Sequence, residues 1–339
     1  MRPTLLSSSI SWCRPHVASL GLAILLGSSA AAQPILAPGA KPARLGDVGA
    51  GEGPAWSSDG SLYFTGHNRI MRRTADGQVK VFREPSGNAN GLLIDPEGRL
   101  VACEASNRRV TRTERDGTVT VLADRFDGHR FNQPNDLTID SKGRIYFSDP
   151  RYGSREGMEM VDAQGRTVEG VYRIDGPGKV SRVITHEIDR ANGVLVSPGD
   201  EFLYVADNNN NTHGVKRALF RFNLRPDGSI DPQSRKLIFD WGDGRGPDGI
   251  KMDQMGRLYV AGGTTKPNPP FETADKFKGG VYVLSPAGKL LEFIPVPVDE
   301  VTNCAFGGAD LKTLFITAGG TLWSVPVTTP GRVPYQRGK

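Results

Sequence analysis

Six residues of this chain carry side-chain oxygens in one recurring setting. Glu52, Asn90, Asn135, Asn192, Asp248 and Asn303 each lead into an apolar strand pattern. At any single position this is ordinary turn chemistry, because Asn and Asp cap loops readily. Six matched positions suggest that the oxygens converge. Glu52 and Asp248 would bring two negative charges, and Asn192 an amide oxygen. A hard divalent cation takes about six to eight such oxygens, with water completing its shell. No His or Cys stands at the six positions, which argues against a soft-metal site. Calcium is the expected ion, with manganese, magnesium and zinc as the alternatives to test. Metal-assisted hydrolysis is the chemistry such a set offers. Asp248 is then both ligand and candidate general base. Asn135, Asn90 and Tyr152 form the expected substrate-binding set, with Asp149, Asp207 and Asn208 on the rim. No G-x-S-x-G nucleophile turn occurs, so an acyl-enzyme route lacks its usual signature. His67, His129, His186 and His213 stand singly; only His67 and His213 fall on the same side as the six oxygens.

The elements that must position these residues repeat. An apolar strand, a Gly-containing turn and a second apolar strand recur six times. Leu92-Leu93-Ile94 to Leu100-Val101, Leu137-Thr138-Ile139 to Ile145-Tyr146-Phe147 and Ile250-Lys251-Met252 to Leu258-Tyr259-Val260 are clear copies. Third and fourth strands follow, as in Val281-Tyr282-Val283-Leu284 and Leu290-Leu291-Glu292-Phe293. Repeats of roughly 40 to 50 residues with four strands each predict the blades of a propeller. The fold class expected is all-β: a six-bladed β-propeller with four antiparallel strands per blade. The last copy runs out after Thr321-Leu322-Trp323-Ser324-Val325, so residues near Ala43-Arg44-Leu45 are expected to supply its fourth strand. That pairing would remove two open sheet edges.

The two faces of such a disc differ. Turns such as Pro96-Glu97-Gly98, Ser141-Lys142-Gly143 and Pro286-Ala287-Gly288 are short and Gly-rich, as hairpins require. On the opposite face, 149–170, 207–213 and 262–279 are long and polar. Long loops on a rigid scaffold are where sites sit. The six oxygen-bearing residues fall on that face.

At Glu52-Gly53-Pro54-Ala55-Trp56, Asn132-Gln133-Pro134-Asn135-Asp136-Leu137, Ser148-Asp149-Pro150-Arg151-Tyr152-Gly153, Ala191-Asn192-Gly193 and Pro247-Asp248-Gly249, the chain resembles the gluconolactonase branch of the SMP-30/regucalcin-like family. Asn88-Ala89-Asn90-Gly91-Leu92 and Thr302-Asn303-Cys304-Ala305-Phe306 extend the likeness over nearly the whole mature chain. The resemblance implies a divalent-metal-dependent lactone hydrolase acting on sugar or related lactones. It assigns metal ligation to Glu52, Asn192 and Asp248, and substrate contact to Asn135. Regucalcin-like members carry a substrate-binding Arg where this chain has Gln133, which bears on the choice of lactone. Two rival readings use the same scaffold: a phosphoester or organophosphate hydrolase, and a non-enzymatic metal-binding propeller. A quinone-dependent dehydrogenase propeller fits the Glu, Asn and Asp positions less well.

Composition bounds the rest. The 339 residues include 42 Gly and 24 Pro, with 23% charged, which favours many short strands and turns. Residues 1–32 combine Arg2 and Arg14, an apolar run from Val17 to Leu26 and Ala30-Ala31-Ala32. This is the pattern of a cleavable secretory signal, and it implies a periplasmic or secreted protein. Removing the segment lowers the formal charge of +5 by two. The remainder shows no basic stripe for nucleic acid, and the mature chain is expected to have no membrane partner, only a small-molecule lactone. The expected divisions are 1–32 signal, 33–47 N-terminal segment, 48–330 propeller and 331–339 a tail without fixed structure. Cys13 leaves with the signal, and Cys103 and Cys304 read as two buried thiols.

Overall fold

The computed structural model describes residues 1, 33–215 and 217–333. The signal reading of residues 1–32 lies outside the described residues, except for Met1. Among the described residues there are six four-stranded antiparallel sheets, and a small ribbon of Arg125–Phe126 with His129–Arg130. Their inner strands are Glu52–Trp56, Ala89–Ile94, Leu137–Ile139, Ala191–Val196, Pro247–Met252 and Val301–Gly307. Each inner strand lies against the inner strands of the blades on either side, and the last touches the first. This is a closed six-bladed propeller.

The chain folds this way because no blade can bury both of its faces alone. The core is divided into six seams, one between each pair of neighbouring blades. In one seam Phe131, Phe147 and Tyr172 stack edge and face between the second and third blades. Each such ring contributes about 1.5–3 kcal/mol by burial. Cys103 and Cys304 lie in these seams as free, buried thiols.

Ring closure comes from the N-terminal side. Ala43–Ala50 pairs antiparallel with Gly320–Pro326, with Ala43 opposite Ser324 and Ala50 opposite Gly320. Ile35 is buried in the seam between the fifth and sixth blades, and Leu36 bridges Val327. The C-terminal side differs from the expectation of a structureless tail. Arg332 N donates to Met252 O, and Gly331 bridges Asp253. Residues 331–333 therefore dock on the fifth blade; 334–339 lie outside the described residues.

The short turns have a side-chain device of their own. Asp95, Asp140 and Asp253 each end an inner strand, and each accepts backbone N–H bonds from residues two and four positions later. The same carboxylate takes the Nε of Arg99, Arg144 or Arg257. The sequence pattern Asp-x-x-Gly-Arg is thus a self-contained turn clamp. These charged residues support the fold on the face away from the long loops.

Candidate active site

The channel has two ends of different character. A cavity of about 1390 Å³ opens among the short turns, lined by residues such as Leu92, Leu137, Val194, Ile250 and Ala305. Neither Glu52, Asn192 nor Asp248 lines it. Its walls are mixed, with Thr138, Asp140, Ser141 and Lys251 among the apolar side chains. The six oxygen-bearing residues stand instead at the other end, where the inner strands begin.

Local geometry there explains why these residues point inward. The ladder is irregular at the start of five inner strands, between Glu52 and Ala55, Ala89 and Leu92, Ala191 and Val194, Pro247 and Ile250, and Val301 and Asn303. A bulge re-aims the side chains beside it. The Gly that follows has a separate role. A methyl group on Gly91 would stand 2.5 Å from the carbonyl oxygen of Asn135 and 2.8 Å from the Asp136 Cα. Gly193 meets the Asp248 carbonyl in the same way, and Gly249 meets the Asn303 side chain. Each of these glycines lets the corresponding residue of another blade approach closely.

The site is crowded with buried acid. Glu52 Oε2 accepts Gly53 N at 2.7 Å and Asn303 Nδ2 at 3.1 Å. Burial, together with the nearby Asp136, pushes its carboxyl up to about 7. Asp248 is raised well above the usual carboxylate range, by burial first and by Glu52 second. Arg245 offsets part of this, its Nη2 standing 3.3 Å from Asp248 Oδ2. Asp136 is raised by burial and partly relieved by Lys251. The Lys251 ammonium donates to Asn303 Oδ1 at 3.1 Å. Beside these carboxylates, the amide oxygens of Asn135 and Asn192 are buried without a hydrogen-bond partner, as is Asp136 Oδ2. Buried polar atoms are nearly always partnered, so orphaned oxygens beside excess negative charge fit a hard cation. Among the described residues no three His, Cys, Asp or Glu side chains form a group able to hold a metal. A ligand set here therefore has to include amide oxygen and water, and Glu52, Asn192 Oδ1 and Asp248 are the donors of the right kind.

The other expected residues divide. Tyr152 reaches the site: its hydroxyl accepts Asn192 Nδ2 at 2.7 Å. Asn90 stands on the same ring, its carbonyl accepting the Thr65 hydroxyl at 2.8 Å. Asp149 and Asp207 are clamps rather than rim groups. Asp149 accepts Asn132 N and Gln133 N, which fixes the loop leading to Asn135. Asp207 accepts Asp189 N and Arg190 N, which fixes the loop leading to Asn192. Asn208 is buried, its backbone N–H on Arg190 O. Gln133 turns its Oε1 to Tyr152 N. His213 packs on Phe271.

Sequence reasoning missed four charged groups: Asp136, Arg190, Arg245 and Lys251. Two left a trace. Lys251 is a charge inside the apolar run Ile250-Lys251-Met252, and Asp136 stands where four of the other five copies have Gly. Arg190 and Arg245 lie in loops, where an arginine draws no notice. Both are buried, and both belong to ion-pair chains behind the site.

Comparison with known proteins agrees with this architecture. The family described as SMP-30/Gluconolactonase/LRE-like region matches residues 50–320. A gluconolactonase of Zymomonas mobilis is 29% identical over 313 residues, covering 84% of this chain and 80% of that protein. A 6-deoxy-6-sulfogluconolactonase of Pseudomonas putida is 30% identical over 278 residues, covering 79% and 82%. The solved structure of a gluconolactonase from Xanthomonas campestris superposes with a TM-score of 0.71 at 32% identity, covering 87% of this chain and 91% of that one. The chain belongs to the SMP-30/gluconolactonase/LRE-like family.

Proposed function

We propose that this protein is a lactone hydrolase that works with a divalent cation, calcium foremost, at the long-loop mouth of its channel. The observation that carries the reading is the convergence of two carboxylates, the half-buried Glu52 and the buried Asp248, with the unpartnered amide oxygens of Asn135 and Asn192. The lactonase relatives supply the reaction class. A cation bound to Glu52, Asn192 Oδ1 and Asp248 would polarise the lactone carbonyl and acidify a nearby water.

The chain's own groups account for the rest. Asp248, in its carboxylate form and steadied by Arg245 at Oδ2, is the group proposed to take the proton of the attacking water. Asn135 Oδ1 is a buried acceptor in need of a donor, and a hydroxyl of a polyhydroxy lactone supplies one. Such pairing discriminates strongly, because an analogue lacking the hydroxyl leaves the acceptor unpaired. Gln133 holds the Tyr152 loop instead of offering a charge to substrate, so neutral polyhydroxy lactones are the class proposed. Residues 1–32 carry the pattern of an export signal, and we place the activity outside the cytoplasm on that basis.

The test is a panel of initial rates on aldonolactones, unsubstituted lactones, aryl esters and phosphotriesters. The reading expects hydroxylated lactones to lead. Faster turnover of phosphotriesters, or no turnover of any lactone, would refute it.

A further inference from the structure

Tyr152 is the point where three separate side chains meet. Its backbone N–H donates to Gln133 Oε1 at 3.0 Å. Its ring lies under the Arg190 guanidinium, whose Cζ is 5.2 Å from the ring centroid. Its hydroxyl accepts the Asn192 amide. Arg190 is itself fixed. Its side chain is fully buried, with Nε 2.6 Å and Nη2 3.3 Å from the two Glu169 oxygens, and Nη1 2.9 Å from Asn211 Oδ1. Glu169 also accepts Arg151 N at 2.7 Å, one residue before Tyr152. Two consecutive backbone N–H groups are therefore captured by side chains, while a buried ion pair holds the ring.

A residue held this firmly is poorly suited to adapt to a substrate, and its hydroxyl oxygen already accepts the Asn192 amide. Its effect falls on Asn192. An amide has a right and a wrong end for a cation: the oxygen coordinates and the NH₂ repels. Engaging Nδ2 on the Tyr152 hydroxyl leaves Asn192 Oδ1 as the buried, unpartnered atom. We infer that Tyr152 is a positioning residue: held by Gln133, Arg190 and Glu169, it orients the Asn192 amide so that its oxygen faces the site. This rests on the proposal that Asn192 ligates a divalent cation. It replaces the expectation that Tyr152 contacts substrate.

The experiment is calorimetric titration of the wild type and Tyr152→Phe with calcium, repeated with manganese, alongside steady-state kinetics on a lactone. Tyr152→Phe keeps the ring and removes only the partner of Nδ2. Groups that orient a ligand are typically worth 10- to 100-fold in metal affinity, so the cation's Kd should rise at least about 10-fold. KM should stay unchanged at saturating cation. Asn192→Asp gives the internal control, since a carboxylate has no wrong end. In that background Tyr152→Phe should change Kd by less than about twofold, by the same reasoning. An unchanged Kd with a raised KM in Tyr152→Phe would overturn the inference and make Tyr152 a substrate contact. An equal loss of affinity in both backgrounds would also overturn it, because the effect would not run through the amide. Absence of heat from the wild type with either ion would overturn the metal reading itself, and this inference with it.

Discussion

Gly91→Ala tests whether the glycines between candidate residues are there for close approach. Gly91 lies outside the left-handed region, so alanine meets no backbone strain there. The added methyl would stand 2.5 Å from Asn135 O, against 3.4 Å for ordinary contact. The Asn135–Asp136 backbone must therefore retreat by about 0.9 Å, stretching the 2.7 Å bond from Gly91 N to Asn135 O. Overpacking of this kind destabilises a fold by about 1–3 kcal/mol. The functional loss should be larger, because a misplacement of about 1 Å at a reacting site can lower the rate on the order of 100-fold. Gly143→Ala is the matched control. Gly143 has φ +81° in a short turn at the other end of the channel, with nothing within 4 Å of an added methyl. It should lose stability through backbone strain alone. The assay is kcat/KM on a lactone beside the chemical-denaturation midpoint for both variants. The prediction is a drop of about 100-fold for Gly91→Ala and less than about twofold for Gly143→Ala, at comparable loss of stability. Full activity in Gly91→Ala, or equal losses in the two variants, would refute the reasoning.

Other expected outcomes follow from the same geometry. Asp248→Asn should lower kcat by about 10²- to 10⁴-fold, the usual share of a general base; single-turnover kinetics would measure it, and unchanged turnover would remove Asp248 from that role. Arg190→Met should lower unfolding free energy by about 1.5–3 kcal/mol, the loss of a charged hydrogen-bond partner, because Glu169 keeps Arg155 and the Arg151 N–H; a denaturant midpoint within error of wild type would contradict this. In chelator, stability should fall as pH rises from 5 to 8. Burial raises Asp207 to about 6 and Asp149 to about 8. A carboxyl held above its unfolded value contributes fully below about pH 4 and loses that contribution as pH passes its folded value. The carboxyls held low, Glu159 at about 2 and Asp162 lower still, titrate below this window. A melting temperature that climbs between pH 5 and 8 would show that the buried carboxyls do not dominate.

The propeller was legible because its signal is local and repeated six times. Each inner strand and its partner, such as Leu137–Ile139 with Ile145–Ser148, read as an apolar pair around a turn. The ring of Glu52, Asn192 and Asp248 was legible for the same reason: matched positions in a repeat become neighbours around an axis. What could not be read were contacts that depend on where loops fold back. Asp149 and Asp207 look like exposed acids in sequence, yet each is buried on two backbone N–H groups. Arg190 and Glu169 are 21 positions apart and meet only because one lies before the fourth inner strand and the other in the long loop of the third blade. Tyr152 was found by its motif, but its attachment to Asn192, 40 positions away, is a product of the closed ring. The run past Pro330 read as structureless because Gly331 and Arg332 bind through backbone atoms, which composition does not reveal.

The central claim is that lactone hydrolysis here depends on a divalent cation held at the channel mouth by Glu52, Asn192 and Asp248. The most direct measurement is pH-stat hydrolysis of gluconolactone by wild-type protein freed of metal with chelator, before and after calcium is restored. The account predicts that turnover falls to the uncatalysed rate in chelator and returns with calcium. Undiminished turnover by the metal-free protein would contradict it.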